Sequence, residues 1–288
     1  MKKIGFIGTG VMGAAIVKHL LNAEYSVNVY NRTKSKTNQL VELGAVWKDS
    51  PKEVAETSDI IFTMVGYPKD VETIYFGKNG IFEADVTNSI MVDLTTSTPS
   101  LAEELYKKAK SVGADSLDAP VSGGDLGAQN GTLTIMVGGD NHVYEKVLPL
   151  FNIFGSKVIC QGSAGCGQHT KMANQIMIAG TMTGMTELLV YAKAAGLNLD
   201  KVLDTVGGGS AANWSLTNYA PRVLKKDYSA GFFVKHFVKD LKIALDESKK
   251  MDVPLPATEK AYELYKKLEN EGHGDDGTQS LIKLWWED

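Results

Sequence analysis

Residues 3–21 read KIGFIGTGVMGAAIVKHLL, and the parsing of this stretch decides the fold. An apolar run at 3–7 feeds directly into Gly8-Thr9-Gly10-Val11-Met12-Gly13, after which apolar positions recur at helical spacing. A strand, a glycine-rich turn and a helix in immediate succession make the G-x-G-x-x-G arrangement of a dinucleotide-binding βαβ unit. Gly8 permits the tight turn, Gly10 lets backbone approach a pyrophosphate, and Gly13 lets the helix pack closely on the sheet. The phosphates would meet the N–H groups of Val11 and Met12 at the helix N-terminus. Glycines at this spacing also separate the stretch from a secretory leader, which the basic Met1-Lys2-Lys3 start superficially suggests.

Further along, short apolar runs at 27–30, 60–65, 90–94 and 116–118 alternate with amphipathic segments at 35–43, 51–57 and 99–112. Two of those segments open at Pro51 and Pro99, a residue suited to the first helical position. The alternation predicts a Rossmann-like α/β domain with a parallel sheet, whose ligands lie beyond the carboxyl ends of the strands. After the second predicted strand comes Asn31-Arg32-Thr33, where an NAD site usually carries an acidic residue for the ribose 2′-hydroxyl. Arg32 instead suits a 2′-phosphate, with Asn31 and Thr33 as neutral donors, so NADP(H) is expected over NAD(H). Val65-Gly66-Tyr67-Pro68 and Asp93-Leu94-Thr95-Thr96-Ser97 follow the next two strands and should border the nicotinamide, with Val65 and Thr95 as contacts. Ser97 or Thr98 is expected to cap the helix that opens at Pro99. Asp118-Ala119-Pro120-Val121 leads into Ser122-Gly123-Gly124, which offers successive N–H groups and a hydroxyl, fitting either a small anion or a plain flexible turn.

A second decisive stretch is GSAGCGQHTKMANQIMIAGTMTGMTELLVYAKAAG, residues 162–196. It holds no proline and is dense in Met, Ile, Leu, Val and Ala, which predicts a helix well above the usual globular length. Lys171, Asn174 and Gln175 stand at i, i+3 and i+4, so they share one face of it. A lone lysine on a helix normally reaches out to solvent. Here a cation near the helix N-terminus opposes the helix dipole and sits beside two amides, which favours a catalytic role. After residue 196 the pattern is helical throughout, at 199–206, 214–223, 241–251 and 258–268.

A chain of 288 residues suits two domains: residues 1–162 as the dinucleotide-binding domain, 163–196 as an interdomain helix, and 197–288 as an all-α domain. The net charge of −4, with basic residues scattered, argues against nucleic acid as a partner. No stretch is apolar enough to span a bilayer. The two cysteines, Cys160 and Cys166, have neither disulfide-framework nor metal-site spacing, and the five histidines form no ligand pair, so reduced thiols in a cytoplasmic, metal-free protein are expected. Trp214, Trp285 and Trp286 are assigned to core or subunit packing, and a homo-oligomer, dimer or tetramer, is expected.

Taken together, GFIGTGVMG (5–13), DAPVSGG (118–124), GSAGCGQHTKMANQ (162–175), KDL (239–241) and GHGDDGTQSLIKL (272–284) resemble the β-hydroxyacid dehydrogenase family. That family includes 3-hydroxyisobutyrate dehydrogenase, tartronate semialdehyde reductase and glyoxylate/succinic semialdehyde reductases. The resemblance implies an N-terminal Rossmann domain, a long interdomain helix, an all-α C-terminal domain, and a small carboxylate-bearing substrate in the cleft between the domains. By it, Ser122, Gly123 and Gly124 would hold the substrate carboxylate, Lys171 would be the catalytic lysine, and Asn174 with Gln175 would orient the reacting oxygen. Lys239 would lie near the cofactor, with Asp240 shaping its loop. Some members carry Asn where this chain has Gln175. Asn174-Gln175 looks most like the tartronate semialdehyde reductases, whereas Asn31-Arg32-Thr33 also fits NADPH-using semialdehyde reductases. The expected chemistry is hydride transfer between nicotinamide and a short hydroxy acid or semialdehyde acid, with Lys171 as general acid or base. An imine-reducing oxidoreductase and a non-catalytic NADPH sensor are the alternatives on the same fold.

Overall fold

The computed structural model describes residues 2–286, which fall into two compact units that divide between Lys171 and Met172. In the first unit the elements run β1 (Ile4–Ile7), α1 (Val11–Asn22), β2 (Val27–Tyr30), α2 (Asn38–Glu42), β3 (Val46–Trp47), α3 (Pro51–Glu56), β4 (Ile60–Thr63), α4 (Pro68–Phe76), β5 (Ile90–Asp93), α5 (Pro99–Ser111) and β6 (Asp115–Asp118). They continue with β7 (Val121–Ser122), α6 (Gly124–Asn130), β8 (Leu133–Gly138), α7 (Asn141–Phe154) and β9 (Gly155–Gly162), after which α8 (Cys166–Ala194) begins.

The strands form one sheet in the order β3-β2-β1-β4-β5-β6-β8-β7, with β9 paired to β8. The first six are parallel and in the doubly wound order, and β8 runs antiparallel to β6 and β7. Helices cover both faces, which is why β1, β4 and β5 read as nearly unbroken apolar runs. Alternate residues serve opposite cores. Ile4, Phe6, Ile60, Phe62, Ile90 and Val92 join one, where Phe62 meets Phe151 and Phe154 of α7 edge-on, with ring centres 6.2 and 6.0 Å apart. Ile7, Ile61 and Met91 join the other, with Val71 and Tyr75 of α4 and Leu101, Leu105 and Ala109 of α5.

Four elements depart from the sequence expectation. α4 opens at Pro68, inside what was read as a strand-end loop, and α6 starts on the Ser-Gly-Gly turn. α7 continues through an internal Pro149, a residue that argues against helix. β9 is mostly exposed and so lacks the apolar run of its neighbours.

The unit border falls inside α8: Lys171 closes the first unit and Met172 opens the second. The second unit contains the rest of α8, α9 (Leu199–Gly207), α10 (Trp214–Asn218), α11 (Ala220–Leu224), α12 (Val234–Lys250) and α13 (Pro256–Leu268). Ala179, Met182 and Leu189 form the inner stripe of α8, in one core with Phe237 and Leu241 of α12 and Tyr265 of α13. The expected helix at 214–223 is two, separated at Tyr219, because Pro221 offers no N–H to continue the ladder. Among the described residues no helix is long and apolar enough to cross a membrane.

Candidate functional site

The glycine-rich turn is built for close approach. Gly8 has φ +99°, and a Cβ there would lie 2.1 Å from the Met64 carbonyl oxygen; one on Gly13 would lie 2.0 Å from that of Gly8. Side chains are excluded at both. Above Gly10 a Cβ would meet nothing within 4 Å, so that backbone is open to a ligand. The first turn of α1 carries no acidic residue and no side-chain cap, which leaves its N–H groups for an anion. The Thr9 hydroxyl is buried without a partner. These features fit a dinucleotide diphosphate at Gly8–Gly13.

Asn31, expected at the cofactor phosphate, makes two hydrogen bonds within the protein. Its Oδ1 accepts the Thr9 N–H at 3.1 Å and its Nδ2 donates to the Thr33 carbonyl at 2.9 Å, so it braces the turn. The side chain of Arg32 is 89% exposed, with Nη1 3.5 Å from Asp70 Oδ1 on α4. An ion pair that long and that wet is weak and easily exchanged for a stronger anion.

At the strand ends, Thr95 Oγ1 accepts the Val65 N–H at 3.0 Å, tying together the two loops expected to border the nicotinamide. Asp93 accepts from Thr63 Oγ1 at 2.8 Å and from the Thr95 N–H at 3.1 Å. Burial pushes its carboxyl up to about 6, against those hydrogen bonds. Thr98, not Ser97, caps α5, accepting the Leu101 N–H at 3.1 Å. Ser97 instead donates its N–H to Gln168 Oε1 at 3.0 Å, while Gln168 Nε2 donates to the Thr95 carbonyl at 2.7 Å.

Gln168 lies in the first turn of α8, and Asp118 at the end of β6 holds that turn. Asp118 Oδ1 accepts the Gly165 N–H and Oδ2 the Gln168 N–H, each at 2.8 Å, so a distant strand caps the helix. Burial raises the Asp118 carboxyl, and the N–H donors counter it. Gly167 and Gly138 make room: a Cβ on either would stand 2.8 or 2.5 Å from an Asp118 carboxylate oxygen. Neither Asp118 nor Gln168 was singled out from sequence as a positioning residue. Their signal was there, a carboxylate and an amide amid apolar or glycine-rich surroundings. Lys171 follows Gln168 by one helical step of three and is itself buried, 6% exposed.

Ser122 ends β7, in register with Thr134 of β8, and Gly123 and Gly124 follow with φ of +127° and +63°. Positive φ at both explains why the turn is glycine. α6 begins there, and its far end is held by His19 of α1, whose Nε2 lies 2.9 Å from the Ala128 carbonyl oxygen and 3.0 Å from that of Gln129. With two acceptors facing it, Nε2 carries the proton.

In the second unit, Gln175 is fully buried, and both ends of its amide are occupied. Its Oε1 accepts from Asn174 Nδ2 at 2.8 Å and its Nε2 donates to Asp240 Oδ2 at 2.7 Å. Gln175 is therefore a link between Asn174 and Asp240. Lys239 Nζ stands 3.0 Å from the other oxygen of the buried Asp240. One turn earlier on α12, burial and then the charge of Lys239 hold the His236 imidazole below its ordinary range.

Asp115, Asp140 and His142 bring three potential metal donors together. Lys110 Nζ already sits between the two carboxylates, 2.5 Å from Asp115 and 2.7 Å from Asp140, and the cation does there what a metal would. Cys160 and Cys166 are free thiols.

Residues 3–162 match the family described as the NAD binding domain of 6-phosphogluconate dehydrogenase, and residues 165–285 match the NAD-binding region of NADP-dependent 3-hydroxyisobutyrate dehydrogenase. The chain is 49% identical to a probable 3-hydroxyisobutyrate dehydrogenase-like protein of Arabidopsis thaliana, over 97% of this chain and 84% of that one. It is 37% identical to 2-hydroxy-3-oxopropionate reductase of Escherichia coli, over 91% of this chain and 90% of the other. Among solved structures, 3-hydroxyisobutyrate dehydrogenase of Mycobacterium tuberculosis with L-serine superposes with a TM-score of 0.91 at 26% identity, covering both chains in full.

Proposed function

Since the chain belongs to the β-hydroxyacid dehydrogenase family of NAD(P)-dependent oxidoreductases, we propose that it interconverts a short β-hydroxy acid and the corresponding semialdehyde acid with NADP(H). The observation that carries this reading is a buried lysine, Lys171, on a helix whose start is fastened to Asp118 and, through Gln168, to the loop after β5. A buried amine on a fixed helix is suited to proton transfer at one atom.

Gly8, Gly10, Val11, Met12 and Gly13 would hold the diphosphate, Arg32 and Thr33 the 2′-phosphate, and Val65, Thr95 and Lys239 the nicotinamide side. When bound, the nicotinamide supplies or takes the hydride. Lys171 delivers the proton that turns the carbonyl oxygen into a hydroxyl, and takes it back in oxidation. Ser122 with the N–H groups of Gly123 and Gly124 would receive the substrate carboxylate, since donors in succession suit two anionic oxygens. Asn174 sits one helical turn from Lys171 and orients the reacting groups.

We further assign the chain to a homo-oligomer in the cytoplasm. Ala173, Met177, Gly180, Gly184 and Tyr191 make an exposed, largely apolar face along α8, with Met177 67% and Tyr191 75% exposed, and a second copy would cover it. Sedimentation velocity tests this directly.

The deciding experiment is NADPH oxidation with glyoxylate, succinic semialdehyde, tartronate semialdehyde and methylmalonate semialdehyde, beside a cyclic imine, with NADH in parallel. Turnover of one or more of the acids is expected. Turnover of the imine alone would establish an imine reductase, and tight NADPH binding without any turnover would establish a sensor.

A further inference from the structure

The amide chain behind Asn174 has a direction, and one residue sets it. Asp240, the ion-pair partner of Lys239, is a carboxylate and can only accept hydrogen bonds. Gln175 must therefore turn its Nε2 toward Asp240, which it meets at 2.7 Å. That leaves Oε1 on the other side, where only a donor is tolerated, and Asn174 meets it with Nδ2 at 2.8 Å. With Nδ2 turned to Gln175, the Asn174 carbonyl oxygen is on the side of the amide away from that bond.

We propose that Asp240, acting through Gln175, fixes the Asn174 amide so that its carbonyl oxygen is presented to the Lys171 amine. The inference rests on the reading of Lys171 as proton donor and acceptor. Lys171 and Asn174 stand three apart on α8, the spacing of neighbours on one helix face. A lysine acting as a base needs its lone pair aimed at the substrate hydroxyl, and holding an N–H on a fixed acceptor elsewhere aims it. A reversed amide would offer an N–H to the lysine's N–H groups and turn it away. Asp240 and Gln175 are thus positioning residues, acting through Asn174.

Isosteric substitutions test the direction separately from the packing. In Asp240→Asn, Lys239 keeps the side-chain oxygen, so the new Nδ2 faces Gln175, and the whole relay reverses while every member stays paired. The expected result is a melting temperature close to that of the parent with kcat lowered about tenfold to a hundredfold, the cost of one misdirected hydrogen bond to a charged group. Gln175→Glu alone places two carboxylates together and should lower both stability and kcat. The double variant Asp240→Asn/Gln175→Glu restores acceptors facing Asn174 Nδ2, and should return kcat to within about threefold of the parent. Side-chain amide spectra of protein labelled with 15N only at asparagine report the same thing without turnover. The Asn174 Nδ2 hydrogen should be slow to exchange in the parent and in the double variant, and shifted in Asp240→Asn.

Unchanged Asn174 signals and kcat in Asp240→Asn would overturn the proposal, as would a double variant no better than Asp240→Asn. A parent enzyme inactive on every acid tested counts against the proposed function instead, and the spectra still decide whether Asp240 sets the amide.

Discussion

Asp118 Oδ2 accepts the backbone N–H of Gln168 at 2.8 Å across fifty positions of chain, and so fixes the origin of the helix that carries Lys171. Gln168 passes the connection on, with its side chain bonded to Thr95 and Ser97. Replacing Gln168 with Leu keeps the volume and the backbone bond but strands one buried carbonyl and one buried N–H. Unfolding free energy should drop by about 3 kcal/mol, the sum for two buried groups left unpaired. The loop after β5 and the start of α8 also lose their tie, so kcat should fall about tenfold or more as the lysine is displaced. Thermal melts and steady-state kinetics on one preparation check both, and a variant that loses stability but keeps kcat would make Gln168 purely structural.

Asp93 gives a pH dependence of defined sign. Its folded-state value, pushed up to about 6, stands above the 3.8 of an unperturbed carboxyl. The folded protein therefore keeps a proton that the unfolded chain gives up, and stability from this site falls as pH rises from about 4 through about 6. Over roughly two pH units the loss is about 3 kcal/mol. Asp93→Asn keeps an acceptor for Thr63 and Thr95 and has no charge to bury. Its melting temperature should match the parent near pH 4 and exceed it increasingly up to pH 7. A difference that does not change with pH would mean that Asp93 does not titrate in this range.

Arg32 should decide between the two nicotinamide cofactors. Its pairing with Asp70 at 3.5 Å is weak, so in the proposed site a 2′-phosphate should replace Asp70 readily and gain a charge-assisted bond. Arg32→Ala is expected to raise KM for NADPH about tenfold to a hundredfold and leave NADH almost unchanged. Should the parent itself prefer NADH, the role assigned to Arg32 fails.

What the sequence reveals divides along physical lines. β1, β4 and β5 are legible because strands buried on both faces run apolar, and Gly8 and Gly13 because backbone geometry admits no other residue. β9 is hidden because it is exposed, and α7 because Pro149 contradicts its periodicity. Within the site, Lys171 stands out by residue type, whereas the use of Gln175 depends on Asp240, 65 positions away. The bracing bond of Asn31 is hidden for the same reason: its partner is Thr9, and only the folded pairing of β1 with β2 brings them together. Residue chemistry can be read locally, but hydrogen-bond partners are assigned by topology.

Lys171 carries the sharpest test. It is buried, and removing its amine removes the proton donor assigned above, so Lys171→Ala should lose at least about 10²-fold in kcat, the low end for a general acid. The glycine-rich turn lies on other elements, so the dissociation constant for NADPH, measured by fluorescence titration, should stay within about twofold of the parent. Lys171→Arg separates charge from proton transfer. Arginine keeps the cation but holds its proton at any working pH, so it cannot act as the base in oxidation. If Lys171 serves by charge alone, the arginine variant recovers turnover. If it moves the proton, arginine stays as inactive as alanine, and an exogenous primary amine in the assay restores part of the rate to Lys171→Ala only. Near-normal kcat in Lys171→Ala would remove it from the mechanism.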